Sequence, residues 1–125
     1  MADNPLIELS KSFAIDTIRL CDDMRKRGKA SAIINQLLRS GTSIGANIHE
    51  ANYASSKADF INIFQIALKE CYETDYWLDV FYKAGILSKD EYNLAYAKCS
   101  KIRKLLIASI TTAKKNSNAP RAERE

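Results

Sequence analysis

The sequence predicts an all-α protein, an antiparallel up-down-up-down four-helix bundle that oligomerises. Apolar residues recur at spacings of three and four through four segments, and no segment shows the alternation that a strand requires. Short stretches with glycine, serine or charged residues separate these segments. The bundle is predicted in residues 1–115, with helices at about 6–27, 31–54, 57–84 and 89–115, followed by a disordered tail in residues 116–125.

The first helix has clear signals at both ends. Asn4 is a good N-cap residue, and Pro5 is tolerated at the first helical position. The helix ends on the basic run 25–27, followed by Gly28, which can adopt the left-handed conformation that closes a helix. The basic run either caps the helix in solvent or contacts an anion. The predicted core residues are Leu6, Leu9, Phe13, Ala14, Ile18, Cys21 and Met24.

The second helix, with Ser31 as its expected N-cap, has two packed faces. The apolar face contains Leu37, Gly41, Ile44, Ile48 and Ala51, and Ile33 and Ile34 extend it. The other face is small and rich in amides: Gln36, Arg39, Ser43, Asn47 and Glu50. Because each glycine inside a helix costs about 1 kcal/mol relative to alanine, Gly41 and Gly45 indicate that another backbone passes close by.

The third helix begins at a capping-box spacing, Ser56 to Asp59. Its core face contains Phe60, Phe64, Ala67, Cys71, Thr74, Leu78 and Tyr82. A second side carries Ile66, Trp77 and Val80, which a single bundle would leave in water, so we expect another subunit to cover them. The predicted oligomer interface comprises Arg39, Ser43, Asn47, Glu50, Ile66, Glu70, Glu73 and Trp77. Within it, Arg39 is expected to pair with a glutamate, and Asn47 to bond nearby backbone.

The fourth helix follows Gly85 and begins with a capping box, Ser88 to Glu91. Its predicted core residues are Tyr92, Ala95, Cys99, Ile102, Leu106, Ile110 and Ala113. The chain carries a net charge of +4, and from Tyr92 to Asn118 it has six Lys or Arg residues and no acid. The fourth helix is therefore the most basic element.

Two explanations fit this charge distribution. The cations pair with acids of the third helix, inside the bundle or across a subunit contact, or they bind the phosphate backbone of a nucleic acid. The predicted nucleic-acid-binding residues are Lys98, Lys101, Lys104, Lys114, Lys115, Arg25, Lys26 and Arg27. Four tyrosines either pack against neighbouring helices or stack on single-stranded bases: Tyr72, Tyr76, Tyr92 and Tyr96.

Two stretches, QLLRSGTSIGANIHEA and SKADFINIFQIALKECYETDYWL, resemble the small bacterial four-helix-bundle proteins encoded in intervening sequences of 23S ribosomal RNA genes. The accessory variability determinant of diversity-generating retroelements is similar. The most specific part is the run from Ser43 to Asn47. Many members continue with alanine, glutamate and glycine after the isoleucine, and here only Glu50 matches that trio. The resemblance implies a homopentamer and, through the retroelement members, an interaction with RNA or DNA.

The sequence contains no catalytic motif, so we expect a protein that is not an enzyme, with no catalytic residue, metal site or cofactor. His49 is the only histidine, and Cys21, Cys71 and Cys99 are expected to be reduced thiols in the core. Apolar runs are too short to span a membrane, which favours a cytoplasmic protein without membrane contact. The predicted function is a non-catalytic nucleic-acid-binding accessory, and the alternative is a scaffold or adaptor for a protein partner.

Overall fold

The structure, a computed structural model, describes residues 4–117, and these residues form four α-helices and no strand. The helices are α1 (Pro5–Lys26), α2 (Ser31–Ala51), α3 (Lys57–Lys83) and α4 (Lys89–Ser117). Each helix packs against the next, and α4 returns to α1 in a looser contact, as an antiparallel up-down-up-down bundle requires. The predicted all-α four-helix bundle is confirmed. The part of the predicted tail in residues 118–125 lies outside the described residues, and α4 runs two residues further than predicted.

Most helix ends follow the predicted chemistry. Asn4 Oδ1 accepts a hydrogen bond from the Leu6 amide at 2.9 Å, and Pro5 is the first helical residue. At α4 the capping box is complete, because the Glu91 amide donates to Ser88 Oγ at 3.1 Å and the Ser88 amide donates to Glu91 Oε1 at 2.9 Å. Gly28 has φ +82° after α1, so glycine is the residue type that fits this position best.

The second helix begins at residue 31 as predicted, but its predicted N-cap and its predicted C-terminal end are wrong. Ser31 is the first helical residue rather than the cap, and Ala30 at the N-cap position makes no side-chain bond. The helix ends at Ala51 instead of residue 54. From Asn52 the amides bond to carbonyls three residues back, as Asn52 does to His49 at 3.2 Å, so the last turn tightens and the helix stops.

The described core consists of two apolar clusters. One contains, among others, Phe13, Ile44, Phe64, Cys99 and Ile102; the other contains Cys21, Met24, Ile34, Leu37, Leu78, Phe81 and Leu87. Four buried hydroxyl residues belong to neither cluster, and three of them, Thr17, Ser40 and Thr74, form what we call the hydroxyl layer; the fourth is Ser10. Ser40 Oγ and Thr74 Oγ1 lie within hydrogen-bond distance, 3.0 Å apart, and this contact joins α2 to α3. All three cysteines are free and buried, as predicted.

The predicted core face of α1 is partly wrong. Ile18 is 52% exposed, and Leu9 and Ala14 are half-buried, whereas Ser10 and Thr17 are buried. The reason lies in α2, whose two glycines bring its backbone against this face of α1. A Cβ at Gly45 would lie 3.1 Å from the Ser10 carbonyl oxygen. The close approach predicted from the glycines is therefore confirmed, and it favours small side chains on α1 over Ile18.

Ile33, predicted to extend the apolar face of α2, is exposed at the start of that helix. Ile34 beside it is buried in the second cluster, as predicted. Phe60 and Tyr82, predicted in the core of α3, are only half-buried, and Phe81 is buried instead. The stripe on α3 therefore lies slightly to one side of its predicted position.

Candidate nucleic-acid interface

The cations of α4 divide into paired and unpaired groups. Lys98 Nζ reaches across to α1, where it bonds Asp16 Oδ2 and Ser12 Oγ, each at 2.6 Å. Arg103 Nε lies 3.4 Å from Asp75 Oδ2 on α3. These two contacts confirm that part of the positive charge of α4 is used in pairing inside the bundle, with acids of α1 as well as of α3.

Five other cations of α4 are exposed and make no ion pair within residues 4–117: Lys89 at the start of the helix, and Lys101, Lys104, Lys114 and Lys115 further along it. At about 100° per residue, Lys101, Lys104 and Lys115 fall within about 60° of the helix circumference and along about 21 Å of its axis. Lys114 lies further round, towards α3. We call these four residues the lysine face. It is a row of charges that a polyanion can approach without displacing a protein carboxylate.

The basic run at the end of α1 is placed differently. Arg25 bonds Asn35 Oδ1, Lys26 pairs with Asp22 at 3.1 Å, and Arg27 pairs with Glu91 at 3.1 Å. This run lies at the end of the bundle where α4 begins, whereas Lys114 and Lys115 lie where α4 ends. The structure therefore does not combine all eight predicted nucleic-acid-binding residues in one surface.

Four of the predicted interface residues meet in a network between α2 and α3. The two Nη atoms of Arg39 contact Glu70, at 3.3 Å, and Glu73. Trp77 Nε1 donates to Glu73 Oε2 at 3.2 Å. The hydrogen bond from Arg39 lowers the pKa of the Glu73 carboxyl, and the bond from Trp77 acts in the same direction. The predicted Arg39–glutamate pairing is present, and it lies within a single chain.

The remaining interface residues are not in this network. Ser43 Oγ donates to the Arg39 carbonyl at 2.6 Å, and Asn47 Nδ2 donates to the Ser43 carbonyl at 2.8 Å, so both bond their own helix. Glu50 and Ile66 are exposed. The expectation that a single bundle would leave Trp77 and Val80 in water is wrong. Each is half-buried against the second cluster of the same chain, so a single bundle covers them in part.

Sequence reasoning missed the environment of Asp75. Its side chain is 19% exposed and that of Arg103 is 18% exposed, yet Asp75 Oδ1 and Arg103 Nε are buried without a hydrogen-bond partner. Burial raises the pKa of the Asp75 carboxyl, against the opposing effects of Cys99 and Arg103. The available signal was its position four residues after Cys71, at the margin of the buried stripe.

The tyrosines that the sequence left open divide into packed and exposed rings. The Tyr82, Tyr92 and Tyr96 rings form a nearly parallel stack from α3 to α4, with centroid distances of 5.0 and 5.5 Å. Tyr72 and Tyr76, one turn apart on α3, are 52% and 59% exposed. The guanidinium carbon of Arg103 lies 6.0 Å from the centroid of the Tyr72 ring. Packing therefore accounts for Tyr92, whereas the Tyr72 and Tyr76 rings remain more than half exposed.

Two features are absent from the described residues, a cluster of metal ligands and a membrane-spanning helix. Residues 4–117 contain no group of three or more His, Cys, Asp or Glu side chains that could hold a metal ion. No described helix combines the length and the apolar character needed to cross a membrane.

The fold and the lysine face define a small all-helical protein whose fourth helix presents unpaired positive charge. The model of the 23S rRNA-intervening sequence proteins matches residues 2–108 of the chain. The chain therefore belongs to this family, as its resemblance in sequence had indicated.

A solved structure supports the same assignment. It is that of a protein with unknown function from the S23 ribosomal protein family of Bacteroides thetaiotaomicron VPI-5482, which is 41% identical to this chain. The match covers 84% of this chain and 97% of the other, with a TM-score of 0.82. A search of curated proteins found no match.

Proposed function

We propose that this protein is a non-catalytic accessory that binds RNA or DNA through the lysine face, as a homo-oligomer. The observation that carries the proposal is the contrast within α4: Lys98 and Arg103 are paired with acids, whereas the lysine face is exposed and unpaired within residues 4–117. A row of cations that forms no ion pair within the described residues suits a ligand with a row of negative charges, such as a polyanion.

The proposed binding relies on charge and shape. No described residue forms a motif that reads bases in a groove, so the main contacts are between lysine Nζ atoms and phosphate oxygens. Such binding weakens steeply as salt rises, because each phosphate that is neutralised releases counterions. Self-association would multiply the effect, since every copy adds another lysine face to the same particle.

Self-association is supported by apolar side chains that one bundle leaves in water. Ile66 is 40% exposed beside the Arg39 network, and Ile15 and Ile18 are exposed on α1. Exposed apolar side chains that lie together on a surface, as Ile15 and Ile18 do one turn apart on α1, are typical of protein contacts. The number of five subunits comes from the family resemblance described above.

The first prediction tests the lysine face by removing its charge. The test variant replaces three of its lysines by glutamine: Lys101, Lys104 and Lys115. A control variant replaces three lysines that each form an ion pair with an aspartate: Lys26, Lys83 and Lys98. Both variants lower the net charge by the same amount. We expect the slope of log affinity against log salt concentration to fall by about two to three in the test variant and by less in the control.

Fluorescence anisotropy with a structured RNA gives these slopes, and circular dichroism checks that both variants fold. Equal loss in the two variants would show that net charge alone attracts the RNA and would remove the lysine face from the proposal. If the wild type retains no nucleic acid even at low salt, the binding function itself is wrong.

A second candidate function, a scaffold for a protein partner, is favoured by the aliphatic surface at Ile15 and Ile18. Capture of the partner would then survive nuclease treatment and would be unaffected by the three glutamine substitutions in the lysine face. An Ile18→Asp variant should abolish that capture.

A further inference from the structure

We infer that the outer side of α3 and α4 is a stacking site for the bases of single-stranded nucleic acid, adjoining the lysine face. The inference rests on the proposed function, because the lysines would hold the phosphates while tyrosine rings receive the bases. We call the site the tyrosine surface and define it by Tyr72, Tyr76, Tyr96 and Arg103.

The rings of this surface are exposed and held in place. Tyr76 packs edge to face on Trp77, with the ring centroids 4.9 Å apart, and Tyr96 ends the stack of three nearly parallel tyrosines. Aromatic rings fixed by neighbouring rings lose little conformational freedom when a base stacks on them. Each exposed ring presents an apolar face with a polar hydroxyl at its edge, which suits a wet interface.

Arg103 joins the two helices of the surface. Its Nη2 donates to Ser100 Oγ at 2.9 Å on α4, and its guanidinium lies near the Tyr72 ring on α3. Because Tyr96, Ser100 and Arg103 follow at spacings of four and three, they share one side of α4. Tyr96 and Arg103 therefore lie on the side of α4 that faces Tyr72.

The charges around the surface favour a polyanion. Two acids on this side of α3 have cationic partners: Asp75 faces Arg103 at 3.4 Å, and Asp79 pairs with Lys83 at 3.2 Å. Lys104 directly follows Arg103 and lies about 100° further round α4, on the lysine face. A strand whose phosphates follow the lysine face thus has the tyrosine rings beside it.

The geometry selects single strands over duplexes. In a duplex the bases are stacked on each other, whereas an unpaired base has a free face that can stack on a side chain. Aromatic stacking is also less sensitive to salt than phosphate contacts. The tyrosine surface therefore adds a preference for loops, bulges or single-stranded ends that the lysine face alone does not supply.

The second prediction tests this preference. The variant Tyr72→Leu/Tyr76→Leu keeps apolar bulk and removes both rings, and the control Tyr72→Phe/Tyr76→Phe keeps the rings. The probes are an oligouridine of about sixteen nucleotides and an RNA duplex of the same length. We expect the leucine variant to bind oligouridine about tenfold or more weakly than the wild type, while the phenylalanine variant stays within about threefold. Affinity for the duplex should be unchanged in both.

Trp77, the only tryptophan, gives a second readout because it lies against Tyr76. Its fluorescence should be quenched by oligouridine more strongly than by the duplex. Wild-type affinity for oligouridine in the leucine variant would overturn the inference while leaving the proposed function intact. A change of particle mass in that variant, measured by light scattering, would also overturn it and would assign the surface to a contact between copies. If the wild type binds neither probe, both proposals fail.

Discussion

At the scale of single residues, the polar groups buried in this core bond the backbone of their own helices. Thr17 Oγ1 donates to the Phe13 carbonyl at 2.8 Å, and Thr74 Oγ1 donates to the Glu70 carbonyl at 2.8 Å. A buried hydroxyl that left its hydrogen bond unmade would cost about 1–3 kcal/mol. These local bonds let small polar residues occupy core positions, as the sequence pattern predicted for Thr74 but not for Thr17.

The third prediction concerns Gly41. A Cβ at this position would lie 2.8 Å from Thr17 Cγ2 and 2.9 Å from Thr17 Oγ1. Thr17 is β-branched and buried, so it has few alternative rotamers. Overpacking of this kind costs about 1–3 kcal/mol, against a gain of about 1 kcal/mol in helix propensity. We expect Gly41→Ala to lower the free energy of unfolding by about 1 kcal/mol, as measured by urea denaturation.

The partner variant Thr17→Ala removes the clashing atoms. In the double variant Gly41→Ala/Thr17→Ala, the loss of stability should therefore be smaller than the sum of the two single losses. Simple additivity, or a Gly41→Ala protein as stable as the wild type, would contradict the close approach described here.

At the scale of elements, the start of α4 links capping to pH. The Ser88 amide and Arg27 lower the pKa of the Glu91 carboxyl, and the amide hydrogen bond is the largest cause. A lowered pKa in the folded state stabilises the protein above the ordinary glutamate pKa of about 4.3. This stability is lost as the pH falls through the lower folded value.

The fourth prediction follows from that linkage. Glu91→Gln keeps an acceptor for the Ser88 amide and removes the titrating charge, so its stability should fall less than that of the wild type between pH 6 and pH 3. The expected difference is about 0.3–1 kcal/mol, typical of an anion at a helix start, measured by thermal unfolding at both pH values. Asp90→Asn is the charge-matched control, because Asp90 makes no hydrogen bond or ion pair within the described residues. Equal losses for wild type and Glu91→Gln would be the contrary result.

Sequence reasoning was most successful where chemistry is local. The Asn4 cap, the Ser88–Glu91 capping box and the glycine after α1 depend on residues next to one another, and all three are confirmed. The exposure of Ile18 and the partial burial of Trp77 depend on tertiary packing instead. Spacing alone could not show that two glycines of α2 would pack closely against Ser10 and Thr17. Nor could it show that the Trp77 indole would donate a hydrogen bond to Glu73.

The candidate site follows the same rule. That α4 is rich in cations could be counted from the sequence, and the outward position of Lys101, Lys104 and Lys115 follows from their spacing. The ion pair between Lys98 and Asp16, which removes Lys98 from the unpaired cations, could not be predicted because it required the identity of the facing residue on α1. The same holds for Asp75, whose partner lies on another helix.

At the scale of the whole molecule, the fifth prediction concerns assembly. Ile66 lies beside the Arg39 network, and Ile107 lies on the α4 side with almost the same exposure, 39% against 40%. Light scattering of the wild type should give several times the mass of one chain. Ile66→Asp should reduce that mass, because burying the new carboxylate in an interface is unfavourable, whereas Ile107→Asp should leave it unchanged.

The mass of the wild type and the two substitutions distinguish two ways in which the assembly prediction can fail. A wild type with the mass of one chain would remove the homo-oligomer from the proposal. Dissociation by Ile107→Asp, with no effect of Ile66→Asp, would instead move the contact from the α2–α3 side to the α3–α4 side.

The hydroxyl layer has a consequence for how the molecule responds to a load. Because it lies outside both apolar clusters, each end of the bundle has its own nucleus of packing. Lys114 and Lys115 project from the end built on Phe64 and Ile110, far from the one built on Met24 and Phe81. We therefore expect the two ends of the bundle to open locally with different free energies, so that a polyanion bound at the Lys114 end would affect the nearer cluster first.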